Sequence, residues 1–183
     1  MSGGWTASGE AACDMWSMNL DKIVSYVETP QEASFENIWT RLDLDDPTIF
    51  CRWGHATGLV NARYMFVYGG VNLENYIVRD SFLFDMVEYY VIEMTEKGEI
   101  PPYRLMYSNL LEAGNGMMTL YGGEDADWKG HFTDIWHLRI HAYNVSENEK
   151  AHVDYKWVNY EKEGDGHQIL SWWKGFTLHY LKS

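Results

Sequence analysis

The chain has 183 residues, enough for one ordinary globular domain with a sizeable core. Nine Trp, thirteen Tyr and seven Phe stand beside sixteen Gly and only four Pro, and aromatics favour strands while Gly favours tight turns, so the composition leans towards all-β. A net charge of −13 repels phosphate backbones, whose affinity comes mostly from Lys and Arg, so no nucleic-acid partner is expected; it suits a soluble surface or a basic protein partner.

In chain order, residues 1–5 carry neither a basic region nor an apolar run, so no signal peptide is expected. Strands are expected near 14–20 and 35–42, with the stretch around Thr29-Pro30-Gln31-Glu32 reading as loop. Four more follow near 54–60, 64–70, 80–85 and 87–94, then four near 105–111, 116–122, 133–140 and 152–158. The last two are expected near 167–173 and 176–181. Every apolar run is interrupted well short of the roughly 20 residues of a membrane span, so no membrane is expected as a partner. Cys13 and Cys51 fall in different loops, and two cysteines make no disulfide framework of the secreted kind. Asn144-Val145-Ser146 spells a glycosylation sequon without a secretory route. The expected location is the cytoplasm.

Three glycine doublets organise this series: Gly3-Gly4, Gly69-Gly70 and Gly122-Gly123. Ten residues after Gly4 comes Asp14-Met15-Trp16, ten after Gly70 comes Asp80-Ser81-Phe82, and eleven after Gly123 comes Asp134-Ile135-Trp136. Apolar runs ending in Tyr68 and Tyr121 precede the last two doublets, and Arg52 and Arg104 lie upstream of them, 52 residues apart. The last two doublets are separated by 53 residues and the first two by 66, with the extra length expected between Asp21 and Trp39. A doublet after an apolar strand permits a turn with positive φ and close backbone approach.

The pattern resembles the kelch repeat, whose period is about 50 residues. The resemblance is carried by Arg52-Trp53-Gly54-His55, the doublets, the Asp-x-aromatic strand, and the late Trp39 and Trp157. The middle repeat has no Trp around Val91, and Arg104 is not followed by Gly-His. The resemblance implies an all-β, kelch-type β-propeller with blades of four antiparallel strands. Residues 1–50 would form a half blade, 51–103 and 104–158 full blades, and 159–183 a further half blade. Three blades' worth of strands leaves the ring incomplete, since propellers have four to eight blades. The chain is then a piece of a larger propeller, a homodimer completing a six-bladed ring, or one of two partner chains. Pairing of half blades would hide otherwise open strand edges.

No catalytic set emerges. His137 and His141 fall on an expected strand, His55 belongs to the repeat's opening motif, and His152, His167 and His179 have no ligand pattern around them. Glu124, Asp125, Asp127 and His131 lie within eight residues and read either as a divalent-cation loop or as a solvated polar loop. No nucleophile elbow or phosphate loop is present. No cofactor and no metal are therefore expected. Kelch propellers act through loops on one face, which implies a protein-binding scaffold; the alternative is a propeller enzyme or metal-binding protein with its site in the shared centre of the ring. The loops after the last two doublets supply the candidate contacts: Asn72, Glu74, Asn75, Tyr76 and Arg79 in one, and Asp125, Asp127, Trp128 and His131 in the other. Asp43, Asp45 and Asp46 read as a further acidic, solubilising loop.

Overall fold

The computed structural model describes residues 1–29, 38–102, 108–114, 117–124, 132, 134–142 and 152–159. The protein is mostly β, and it divides into two compact units, Met1–Trp53 and Gly54–Ser183. No helix among the described residues is long and apolar enough to cross a membrane.

The first unit contains β1 (Trp16–Met18), α1 (Leu20–Glu28), β2 (Trp39–Arg41), a 3-10 helix (Pro47–Phe50) and the short β3 (Arg52–Trp53). β1 and β2 pair antiparallel, with Trp16 opposite Arg41 and Met18 opposite Trp39. The strand expected over 14–20 stops at Met18, because Asn19 caps a helix there: its side chain accepts the Lys22 amide at 3.1 Å. Leu20, Ile23, Val24 and Val27 then recur at helical spacing. The extra length between the first two doublets therefore includes a helix between β1 and β2, where the end of a strand and a loop are expected from the sequence. Asp46 caps the 3-10 helix by accepting the Thr48 amide at 2.9 Å. Hydrogen bonds from the Thr48 side chain and amide hold the Asp46 carboxyl below its ordinary range. Cys13 and Cys51, expected in separate loops, are joined as a disulfide across 38 positions of sequence.

The second unit is built from two four-stranded antiparallel meanders. One runs β4 (Ala56–Val60), β5 (Tyr64–Tyr68), β7 (Ser81–Asp85) and β8 (Tyr90–Gly98), with β6 (Val71–Asn72) inside the β5–β7 connection. The other runs β9 (Ser108–Gly114), β10 (Met117–Gly122), β11 (Ile135–Ala142) and β12 (His152–Asn159). A parallel β8–β12 pairing joins them into one eight-stranded sheet with β4 and β9 at its ends. The expected strand over 87–94 is displaced to Tyr90–Gly98, because residues 86–89 form the turn that follows Asp85. The strands expected at 167–173 and 176–181 lie outside the described residues.

Alternation explains the core. Phe66, Tyr68 and Leu83 of the first meander and Met118, Leu120, Trp136, Leu138, Tyr155 and Trp157 of the second belong to one buried cluster. The Trp157 ring meets Tyr68 edge-on at 5.3 Å and Phe66 at 6.0 Å, and Ser81 Oγ lies 2.8 Å from the Tyr155 hydroxyl. Gly58 lets the strands come this close: a Cβ there would collide with Met118 Cε and lie 3.1 Å from Leu110 Cβ. Val67, Phe82 and Phe84 alternate with these residues and are buried too, so β5 and β7 carry apolar side chains on both faces.

Two turns at one end of the first meander are set by backbone conformations that few residues adopt. Asn61 and Ala62 have φ of 52° and 56°, and the Arg63 amide donates to Val60 O at 3.2 Å. This is the mirror-image turn that matches strand twist. At the neighbouring turn the fully buried Asp85 carboxylate accepts Arg63 Nε at 2.9 Å, Arg63 Nη2 at 2.6 Å and the Val87 amide at 2.9 Å. Burial pushes the Asp85 carboxyl up, but the Arg63 hydrogen bonds, the Val87 and Glu88 amides and the Arg63 charge outweigh it and hold it below its ordinary value.

Candidate functional site

The glycine doublets build one local structure several times over. Both residues of each doublet have positive φ: 55° and 116° at Gly3-Gly4, 66° and 92° at Gly69-Gly70, and 74° and 104° at Gly122-Gly123. The first glycine's amide donates to the recurring Asp, Gly3 to Asp14 O and Gly69 to Asp80 O, both at 3.0 Å. The second glycine's carbonyl accepts from Ala12 at 2.8 Å, Val78 at 2.9 Å and Phe132 at 2.9 Å. The last of these lies nine residues past the doublet instead of eight, which absorbs the one-residue difference in spacing to Asp134. The Asp-x-Trp pattern has its own physical basis: Trp16 Nε1 donates to Asp14 Oδ2 at 2.8 Å, and Trp136 Nε1 makes the same bond to Asp134 Oδ2. Phe82 has no N–H to give, so the middle repeat keeps only the backbone part of the arrangement.

Past the doublet, the first two loops are the same small hairpin. Trp5 bridges Ala11 in one and Val71 bridges Ile77 in the other. The Thr6 amide donates to Glu10 O at 2.9 Å, and the Asn72 amide to Tyr76 O at 3.0 Å. A side-chain oxygen at the same position returns the bond: Thr6 Oγ1 accepts the Glu10 amide at 3.1 Å, and Asn72 Oδ1 the Tyr76 amide at 2.9 Å. The turn closes through a residue with positive φ, Gly9 at 84° and Asn75 at 60°, whose amides donate to Thr6 O and Asn72 O.

This geometry separates shape from display. Asn72 and Asn75, both named as candidate contacts, set the loop's shape. Glu74, Tyr76 and Arg79 are exposed, as is Leu73, which sequence reading passed over; Tyr76 is 68% accessible and Leu73 48%. In the first loop the corresponding tip is Ala7, Ser8 and Glu10, also exposed. That loop was not among the expected contacts. Its signal was present in the sequence as a hydroxyl or amide side chain two residues after the doublet and a Gly or Asn five after it. Trp5 of the first loop stacks edge-on against Trp53 at 5.1 Å.

The other candidates fall elsewhere. Asp125, Asp127, Trp128 and His131 lie outside the described residues; Glu124, at the start of that loop, is buried. Among the described residues no three His, Cys, Asp or Glu side chains gather as a metal site. His137 lies on β11 with its Nδ1 3.1 Å from Thr119 Oγ1. Chemically, the described loops offer rigid backbone, an aromatic and an aliphatic tip, and carboxylates. No family model matches the chain, and no curated protein matches it.

Proposed function

We propose that the protein is a protein-interaction module of kelch-type blades that holds a basic partner segment on the loops following its glycine doublets. The observation that carries this reading is the pair of loops at 4–14 and 70–80, which share every turn-forming hydrogen bond but display different side chains at the tip. A constant scaffold with variable exposed tips separates folding from recognition. Tyr76 and Leu73 supply apolar anchors, and Glu74, Glu10 and the net charge of −13 favour a cationic partner. In the blade reading each meander is one blade and β1–β2 is part of another. The ring is then completed by a second copy of the chain or by other chain, and solution mass distinguishes these.

The test compares capture of basic proteins from a cell extract by the wild-type chain and by Tyr76→Ala and Leu73→Ala variants. Each variant should lose specific partners by about tenfold while keeping the wild-type melting temperature, and raised salt should weaken wild-type capture. Equal capture by the variants would remove this loop from the binding surface.

A further inference from the structure

The first unit contains a covalent bond that the interaction reading does not use. Cys13 is half-buried and lines a cleft of about 210 Å³ together with Asp14, Arg41, Asp43 and Pro47. Its partner Cys51 is only 5% accessible and does not line that cleft. Cys13 is thus the member of the pair that borders the cleft, and Cys51 is the buried one.

We propose that Cys13–Cys51 is a thiol–disulfide exchange site, a redox clasp that a small uncharged or cationic thiol opens from the cleft. An incoming thiolate attacks Cys13 Sγ, the Cys13–Cys51 bond breaks, and its electron pair leaves on Cys51 Sγ. A second external thiolate attacks the external sulfur of this mixed disulfide, forming the external disulfide while the electron pair of the broken bond leaves on Cys13 Sγ. Two external thiols are oxidised to one disulfide, and the protein's disulfide is reduced to two thiols. The preference for charge follows from the lining. Asp14 and Asp43 place two carboxylates beside one guanidinium, that of Arg41, which lies 4.0 Å from Asp14. A thiol that itself carries a carboxylate meets net repulsion there.

Opening the clasp has a local consequence because little else is buried nearby. Among the described residues the buried apolar side chains of this unit are Ala11, Met15, Ile38, Phe50 and Cys51. Cys13 follows directly on Ala12, whose amide bonds Gly4, and Cys51 precedes Arg52, whose carbonyl accepts the Gly4 amide at 2.8 Å. The bond therefore ties together the two segments that hold the first doublet. In an oxidising setting the first loop is fixed; in a reducing one it is released.

The experiment uses the full chain and three thiols at matched thiolate concentration, cysteamine, 2-mercaptoethanol and 3-mercaptopropionate, and divides each rate by that thiol's rate with a small uncharged disulfide so that intrinsic nucleophilicity cancels. On this normalised scale cysteamine should reduce the bond fastest and 3-mercaptopropionate slowest, by about threefold or more, and both 1 M salt and Asp43→Asn should narrow the gap. Equal rates for all three, set by the rate of chain unfolding, would overturn an accessible sulfur. Hydrogen exchange of the reduced wild-type chain supplies the second arm. The amides of Gly4 and Ala12 should exchange about tenfold faster, with Phe66 and Leu120 unchanged. Unaltered protection at Gly4 and Ala12 would overturn the clasp while leaving the interaction reading untouched.

Discussion

The loops at 4–14 and 70–80 are the same hairpin on two different foundations. Around the second, the chain is a sheet whose buried cluster includes Phe66, Tyr68, Leu83, Trp136, Leu138 and Trp157. Around the first, few apolar side chains among the described residues are buried, and a disulfide joins the segments that hold the doublet. A turn made of two positive-φ glycines and a returning side-chain bond is cheap to encode, but its backbone entropy must be offset by whatever surrounds it. One unit offsets it with hydrophobic burial and the other with a covalent constraint on the unfolded chain.

The largest expected effect comes from removing the aromatic centre of the sheet. Trp157→Ala leaves a cavity beside Phe66 and Tyr68 and should cost roughly 3–5 kcal/mol in urea unfolding of the second unit. A loss below 1 kcal/mol would mean that this core does not hold the second loop. The matching change in the first unit is reduction of Cys13–Cys51. For cysteines 38 positions apart, the entropic constraint is worth about 2–4 kcal/mol, read as the shift in that unit's denaturant midpoint.

The Arg63–Asp85 pair supports the end of the first meander where Asn61–Ala62 and residues 86–89 turn. Asp85→Asn keeps the shape but loses charge-assisted bonds, and should cost about 2 kcal/mol. Because the folded-state carboxyl lies below its ordinary value, its contribution is fully present above the unfolded value near pH 4. It is lost as pH falls through the lower folded value. A pH titration of stability should therefore show an acid limb that Asp85→Asn reduces. The smallest of these effects has the opposite sign. Ala62 sits at φ 56°, where Gly carries no Cβ penalty, so Ala62→Gly should raise stability by about 0.5–1 kcal/mol in the same assay.

The sequence made much of this visible because the doublets and the Asp-x-aromatic pattern record backbone requirements directly. Only residues that tolerate positive φ serve at Gly69-Gly70, and only an acceptor near the strand start satisfies the Trp16 and Trp136 indoles. The meanders were legible for the same reason, since Tyr64–Tyr68 and Ser81–Asp85 are apolar runs bounded by such turns. Helix α1 was hidden because the repeat alignment set the extra length between Asp21 and Trp39 aside as loop, although Ile23, Val24 and Val27 recur at helical spacing there. Its signal was Asn19 in capping position. The disulfide was hidden because spacing along the chain does not tell which loops meet. The equivalence of Thr6 with Asn72, and of Gly9 with Asn75, was hidden because different residue types perform one geometric task in each case.

The central claim is that the loops share a scaffold and differ only in what they display. It is tested most directly by replacing residues 72–76, Asn-Leu-Glu-Asn-Tyr, with the residues at 6–10, Thr-Ala-Ser-Gly-Glu. The urea midpoint of the exchanged chain is then compared with that of the wild type. A shared scaffold predicts a stability change within about 0.5 kcal/mol, hydrogen-exchange protection retained at the Gly69 and Val78 amides, and loss of the wild-type partners. A loss of more than about 2 kcal/mol, or unprotected amides at Gly69 and Val78, would contradict it.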